Sequence, residues 1–419
     1  MRRPLLVIFI FIMCISFIYT NNKSLDKTYN DDTVEIISVI ENKKEKQKYY
    51  EYKLGEFLVI DYTKSKNLKI GSKIKVVGKF KSIDDMNYED FNYGRYLKSV
   101  GYKGLIYINK YEIIGTNLLY KKLGNLKTYI RNTTRYLYKK NSDFINSLTL
   151  GEKEQLTKEE NEMFSRTGTS HIIAISGLHT GILCILVSFI IGGINRFYKL
   201  LILIVVMGLY CLMIGTAPSV VRAISFVIIL YIAVFLDRKR DGMSVLSLVG
   251  IFLMINNPYI IYNISFQLSF LATLSIIYFY GYINYVIKLK LISLTLASNV
   301  LTLPIIYYNF KGIPIISIIS NIIVVPFIGI IIYMSIISIT IFKMNIGIAK
   351  IIAYFNMIII NNIYFLLNIL SDLDFAYIEI DNPSMVYVIT YYIAVFSYMI
   401  YKELKVMKEQ TNELQGYYK

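Results

Sequence analysis

Histidine is nearly absent from this chain: His171 and His179 are the two in 419 residues. A histidine-based metal centre is hard to build from them. They stand about 12 Å apart along a continuous helix, so they share an ion only if the helix breaks at Ser176-Gly177. No acidic residue falls in that stretch to complete a site. Cysteine is scarce too. Cys14, Cys184 and Cys211 lie in apolar runs without metal-ligand spacing and read as small buried hydrophobes. None falls in the polar region, so no disulfide holds that region together. The chain has no G-x-x-x-x-G-K-[ST] sequence, which excludes nucleotide hydrolysis by that route. Ser176-Gly-Leu-His179 is not a G-x-S-x-G nucleophile elbow. The residues therefore require no catalytic centre, metal or cofactor here.

Apolar residues are abundant. The hydrophobic share is 55% and the mean hydropathy +0.48, too high for an ordinary soluble domain of this size. Arg2 and Arg3 precede an apolar run from Pro4 to Tyr19 with no A-x-A-like site after it, which reads as an uncleaved first span. Nine further spans are expected at about 171–194, 199–216, 218–236, 242–256, 260–284, 289–308, 314–342, 345–370 and 384–401. The long 314–342 run is interrupted by Pro326, which suggests a re-entrant half-helix. The expected fold is a polytopic α-helical membrane protein of about ten spans, with a small OB-like β-barrel inserted after the first.

Loop charges orient this model. Arg196 and Lys199, Arg238 to Arg240, Lys288 and Lys290, Lys343, and Lys402, Lys405 and Lys408 fall in alternate loops. The other loops carry almost no cation except Lys311. By the positive-inside rule both termini are cytoplasmic and the β-domain is extracytoplasmic. The domain plan is then a first span at 1–20, a β-domain at 31–115, an amphipathic connector at 116–165, a membrane domain at 166–401 and a cytoplasmic tail at 402–419. The lipid bilayer is one implied partner, and a homo-oligomer is left open.

The β-domain is predicted from Thr33–Ile40, Phe57–Thr63, Lys73–Phe80 and Tyr102–Ile108, which are rich in Val, Ile and Tyr. A short helix is expected at Asp90–Val100. Such barrels often bind single strands on aromatics in a basic groove. Tyr88, Tyr93, Tyr96 and Tyr102 beside Arg95, Lys98 and Lys103 suit that use. They suit a tyrosine core with solvating lysines better. The net charge of +16, half of it in residues 21–170, has two readings as well. It fits nucleic acid or anionic lipid, and it also fits a coding bias toward Lys, Ile, Asn and Tyr. In the connector, Leu119, Leu123, Leu126, Ile130 and Leu137 recur at near-helical spacing, as in a helix on the membrane surface or one bracing the β-domain.

The stretch Arg166 to Gly181 marks the passage from polar to apolar chain and concentrates small and polar residues. Arg166, His171 and Arg222 are expected at the outer ends of their helices, where free N–H groups favour anions. An arginine inside a span is costly, which points to function for Arg222 over simple packing. Ser176, His179 and Thr180 share one helix face. Thr295, Ser298, Asn299 and Thr302 share another; Ser317, Ser320 and Asn321 form a third; Ser265, Gln267 and Ser269 lie in a fourth. Interhelical hydrogen bonding explains such faces. A hydrated conduit lined by Gly177 and these neighbours explains them equally.

The order Gly151-Glu152, Arg166-Thr-Gly-Thr-Ser-His171, Ile175-Ser-Gly-Leu-His179, Pro218-Ser-Val-Val-Arg222, Asn257-Pro258, Phe266-Gln-Leu-Ser-Phe270, Leu303-Pro304 and Val325-Pro326 resembles the ComEC-type competence family. Phe91-Asn-Tyr-Gly-Arg95 with Gly101 more loosely resembles that family's extracytoplasmic OB-like domain. The resemblance implies a membrane channel for single-stranded DNA in natural transformation, with no enzyme activity in this chain. It implies a DNA receptor and a cytoplasmic motor ATPase as partners. Many members add a metallo-β-lactamase-like nuclease domain, and here only a short tail follows Tyr401, so a separate nuclease is expected. Arg166, His171, Ser176, Gly177, His179, Arg222, Gln267, Asn299 and Asn321 become candidates for the DNA path. Tyr93, Arg95, Tyr96, Lys98 and Lys103 become candidates for DNA binding in the barrel. A transporter of another anionic solute is the alternative.

Overall fold

The computed structural model describes residues 4–22, 32–46, 48–63, 68–84, 86–88, 91–215, 218–235 and 241–417. Arg2 and Arg3, the loop Arg238 to Arg240 and the side chain of Tyr88 lie outside what is described, as does the side chain of Lys408.

Helix α1 (Pro4–Asn22) leads into a closed five-stranded barrel. Its strands are β1 (Thr33–Glu45), β2 (Tyr50–Leu54), β3 (Phe57–Asp61), β4 (Ser72–Lys81) and β7 (Gly104–Thr116), in the order β1-β2-β3-β7-β4. Strands β3 and β7 run parallel, and the other pairs are antiparallel. Strand β2 was not foreseen: its sequence, Tyr-Glu-Tyr-Lys-Leu, alternates buried Tyr50, Tyr52 and Leu54 with polar residues, but glutamate and lysine hide the pattern. Between β4 and β7 come a two-residue hairpin, β5 (Asn87–Tyr88) and β6 (Phe91–Asn92), and helix α2 (Tyr93–Val100). Asn92 caps α2 and Gly101, in the left-handed region at φ 97°, ends it. Tyr52, Ile40, Val59, Ile74 and Ile106 fill the barrel, and Tyr93 and Tyr102 pack against a second cluster around Leu97.

The barrel is seated on the membrane domain through α2. Asn257 and Asn263 each do two jobs. Their Oδ1 atoms accept from Tyr259 N and Phe266 N, capping the 3-10 turn Pro258–Tyr262 and the helix after it. The Asn257 Nδ2 donates to the Lys98 and Ser99 carbonyls at 2.8 and 3.2 Å, and the Asn263 Nδ2 to Ser99 Oγ at 3.0 Å. The orphan carbonyls at the end of α2 are thereby satisfied.

The connector is helical, as its leucine spacing predicts. It comprises α3 (Leu118–Tyr138), α4 (Ser142–Leu150) and α5 (Lys158–Arg166), which opens with a Thr157/Glu160 capping box. Leu123 and Leu137 are buried, whereas Leu119 and Leu126 are exposed. At the turn after α4, Glu152 accepts from Arg131 Nε at 3.0 Å and pairs with Lys127 Nζ at 3.3 Å. Lys127 is only 4% exposed and also reaches Asn42 Oδ1 of β1. One carboxylate therefore ties barrel, connector and the Gly151-Glu152 turn together.

The remaining helices are α6 (Ser170–Ile173), α7 (Gly177–Ile190), α8 (Arg196–Ile214), α9 (Pro218–Phe235), α10 (Gly242–Asn256), α11 (Ile264–Ile287), α12 (Lys290–Phe310), α13 (Ser317–Ile341), α14 (Ile346–Ser371) and α15 (Met385–Tyr417). A small sheet, β8 (Gly312–Pro314) with β9 (Tyr377–Glu379), links the approaches to α13 and α15. Among the described residues seven helices are long and apolar enough to cross a membrane, and three apolar ones are shorter. Two expectations are corrected. The 171–194 run is not one helix: it breaks between Ile173 and Gly177, because Ser176 turns to cap α7. Helix α13 is not interrupted at Pro326; it continues through that residue, which forgoes one N–H of the helical ladder.

Candidate functional site

The break in the central motif builds the site. Ser176 Oγ accepts from Leu178 N, and the His179 ring returns to Ser176. His179 Nδ1 accepts the Ser176 backbone N–H at 3.3 Å and lies 3.1 Å from Ser176 Oγ. An accepting Nδ1 puts the proton of the neutral ring on Nε2. That Nε2 is buried and has no partner within ordinary hydrogen-bond geometry among the described residues. His179 lines a cavity of about 390 Å³ with Thr149, Tyr210 and Lys343 among apolar residues.

Arg222, one turn into α9, is 6% exposed. Its Nη1 donates to Thr273 Oγ1 of α11 at 2.8 Å, and its Nη2 lies against Gly177. Its Nε is buried and unpartnered, and no carboxylate pairs with it among the described residues. A buried guanidinium with spare donors is costly unless an acceptor arrives. Ser176, Gly177, His179 and Arg222 thus form one cluster, joined by Thr273, which sequence spacing did not single out.

The other candidates fall elsewhere. Arg166 Nε donates to the Ser371 carbonyl at 2.9 Å. His171 is exposed, with Nδ1 3.2 Å from the Gly168 carbonyl. Gln267 Nε2 donates to the Ile261 carbonyl at 2.7 Å. Asn299 lines a separate groove with Ser317 between α11, α12 and the start of α13, with Tyr391 of α15 at its side. Asn321 is half-buried, and its Oδ1 has no partner among the described residues. Much of the polar lettering on these helices is satisfied within its own helix. Ser298 donates to Thr295 O, Thr302 to Ser298 O and Ser320 to Ile316 O.

The barrel candidates are engaged at home. Arg95 stacks over Tyr262 at 4.8 Å; Lys98 pairs with Asp84 and lies over Tyr259; Lys103 pairs with Glu56 at 2.6 Å. Tyr93 and Tyr96 stack on each other at 6.0 Å, and Tyr96 is exposed. Among the described residues no group of three His, Cys, Asp or Glu side chains gathers as a metal site.

Many long apolar helices, a five-stranded barrel ahead of them and a polar cluster at broken helix ends define a multi-pass membrane protein with a barrel domain. The family model described as Competence protein matches residues 148–405, more than half of the chain, and the chain belongs to that family. ComE operon protein 3 of Bacillus subtilis (strain 168) is 33% identical over 217 residues, covering 50% of this chain and 28% of that protein. Recombination protein 2 of Haemophilus influenzae (strain ATCC 51907 / DSM 11121 / KW20 / Rd) is 27% identical over 148 residues, covering 33% of this chain and 19% of that one. The chain thus spans less than a third of either relative. No solved structure matches.

Proposed function

We propose that this chain carries single-stranded DNA across the cytoplasmic membrane during natural transformation. The observation that carries the reading is Arg222: a buried cation at the start of a membrane helix, whose Nε finds no partner and which meets no carboxylate among the described residues. Phosphates passing there would supply the missing acceptors. The N-terminus of α7 adds a positive dipole end at the same place. The guanidinium is covered in this conformation, so a path along it opens when α7 and α9 part. Family membership and the printed names of the relatives favour DNA over another anionic solute.

In this reading the barrel is of OB type and extracytoplasmic, and both termini are cytoplasmic. The strand order, with its parallel β3–β7 pair, supports the first point. The helix ends at Arg196, Lys290 and Lys402, turned away from the barrel's contacts, support the second. A DNA receptor and a motor ATPase are the partners we propose for such transport. Exposed Tyr96 and the cations Arg95, Lys98 and Lys103 would meet the strand only by exchanging their present partners.

The test is uptake of radiolabelled duplex DNA by cells that take it up, with and without this gene, counting surface-bound and nuclease-protected label separately. Loss of protected label with surface binding intact is expected. Protected label unchanged by deletion would overturn the reading and leave the other-solute transporter in its place.

A further inference from the structure

We infer that α13 and α14 do not cross the bilayer but form a hairpin lying in the plane of the barrel-side leaflet, with its exposed apolar face against lipid chains. At 25 and 26 residues the two helices are long enough to span, and α13 is the most apolar of the candidate spans. Their contacts say otherwise.

The connector is the reference surface. Helix α3 leaves the barrel directly: Gly71 of the barrel lies against Lys121, and Gly124 against Ile70. Helix α3 exposes Lys121, Lys122, Asn125, Asn132 and Arg135 beside Leu119, Leu126 and Tyr136, and exposed Lys139 and Lys140 follow its end. A helix with that outer face belongs at water or lipid headgroups, not in hydrocarbon. The connector is therefore a polar layer on the barrel's side of the membrane.

Helix α14 follows that layer from one end to the other. Lys350 lies over the Tyr136 ring at 5.2 Å. Further along, Asn141 Nδ2 donates to Asn361 Oδ1 at 2.8 Å, and Tyr364 donates to Glu160 at 3.0 Å. At the far end Ser371 O accepts from Arg166. Residues 350 and 371 are about 32 Å apart on a helix, roughly the full thickness of a bilayer core. A helix that crossed would leave the connector after a turn or two. Helix α13 does the same. Gly168 touches Ser317 and Pro314 at its start, and Tyr129 donates to the Ile339 carbonyl near its end. The hairpin tip returns to α3 as well, with Lys343 over Tyr129 at 4.7 Å and Phe342 against Tyr136.

Beside that edge α14 turns an outward, largely apolar face away from its buried side, with exposed Asn362 among the apolar residues. Ile351, Tyr354, Phe355 and Phe365 are 55–63% exposed. A polar edge and this outward face beside it fit an element lying at a leaflet boundary. Two spans then leave the expected count, both termini stay on one side, and Lys343 moves from the cytoplasmic face to the barrel's face.

The test is cysteine accessibility in the full chain, in native membranes, with Cys14, Cys184 and Cys211 changed to serine. Met344→Cys and Asn345→Cys mark the exposed hairpin tip. Tyr62→Cys marks the barrel, and Tyr285→Cys the end of α11 that faces away from it; both side chains are exposed. An impermeant maleimide applied to intact cells and to inverted vesicles should label at least one tip cysteine from the same side as Tyr62→Cys, and Tyr285→Cys from the other. Tip cysteines that label with Tyr285→Cys, or from neither side while both controls react, overturn the inference. The outcome does not depend on whether DNA is the cargo.

Discussion

The Nη2 atom of Arg222 lies 3.4 Å from where a Cβ on Gly177 would stand, so the guanidinium occupies the space that glycine leaves at the start of α7. A methyl there is in ordinary contact, and a branched side chain is not. We therefore expect Gly177→Ala to keep most DNA uptake and Gly177→Val to lose it nearly as fully as removal of Arg222. Protected label, with membrane levels checked by immunoblot, decides this. Equal activity of the two variants would break the link between the residues.

Gly151 stands at φ 72°, and a Cβ on it would lie 2.9 Å from Ile175 Cδ1. Backbone strain of about 1–2 kcal/mol and a steric clash act together in Gly151→Ala. The purified protein should unfold at a lower temperature. Ile175→Val should be milder alone and should recover part of the loss in the double variant, since it removes that methyl. Simple additivity of the two shifts would argue against the contact.

Glu152 holds two cations, one of them nearly fully buried. Glu152→Gln leaves Lys127 uncompensated, and breaking a buried pair in this way costs about 3–5 kcal/mol. We expect poor accumulation of that variant. Lys127→Met combined with Glu152→Gln should accumulate better than Glu152→Gln alone, because no orphaned charge remains at position 127. Immunoblots of membranes check the order, and the reverse order would count against it.

Lys44 and Glu154 join the barrel to the connector at 2.6 Å. Burial resists the charge on Glu154, but the Lys44 ammonium outweighs it and holds the carboxyl below its ordinary range. A depressed carboxyl gives stability above its unfolded pKa, lost as pH falls through the folded one. On Lys44, burial likewise opposes the charge, and Glu154 raises its pKa overall. Its share is therefore present below the ordinary lysine range and lost as pH rises through the raised value. Protection factors for amide exchange at β1, taken relative to the unfolded chain at the same pH, should fall at both extremes, modestly for so exposed a pair. Lys44→Ala should flatten both limbs; unchanged limbs would deny the pair a role.

Local chemistry was legible in the sequence where it was periodic or capped. The barrel's Val- and Ile-rich strands, the α3 leucines and the apolar runs all show themselves by spacing. The break at Ser176 was recognised only as a condition for metal sharing, because a cap inside an apolar run leaves no composition signal. The partners of Glu152, some twenty residues away, and Thr273 beside Arg222 depend on tertiary packing that spacing cannot carry. The barrel cations illustrate the same limit. Arg95, Lys98 and Lys103 look alike in sequence, yet two dock the barrel on Tyr262 and Tyr259 while the third pairs on the surface.

Arg222→Ala against Arg222→Lys, in cells that import DNA, tests the central claim most directly. Losing a charged hydrogen-bonding contact worth about 1.5–3 kcal/mol should lower nuclease-protected label by roughly ten- to a hundredfold in Arg222→Ala. Surface-bound label should not change, and Arg222→Lys should retain a measurable part. Protected label at the wild-type level in Arg222→Ala, with the protein present in the membrane, would contradict the account.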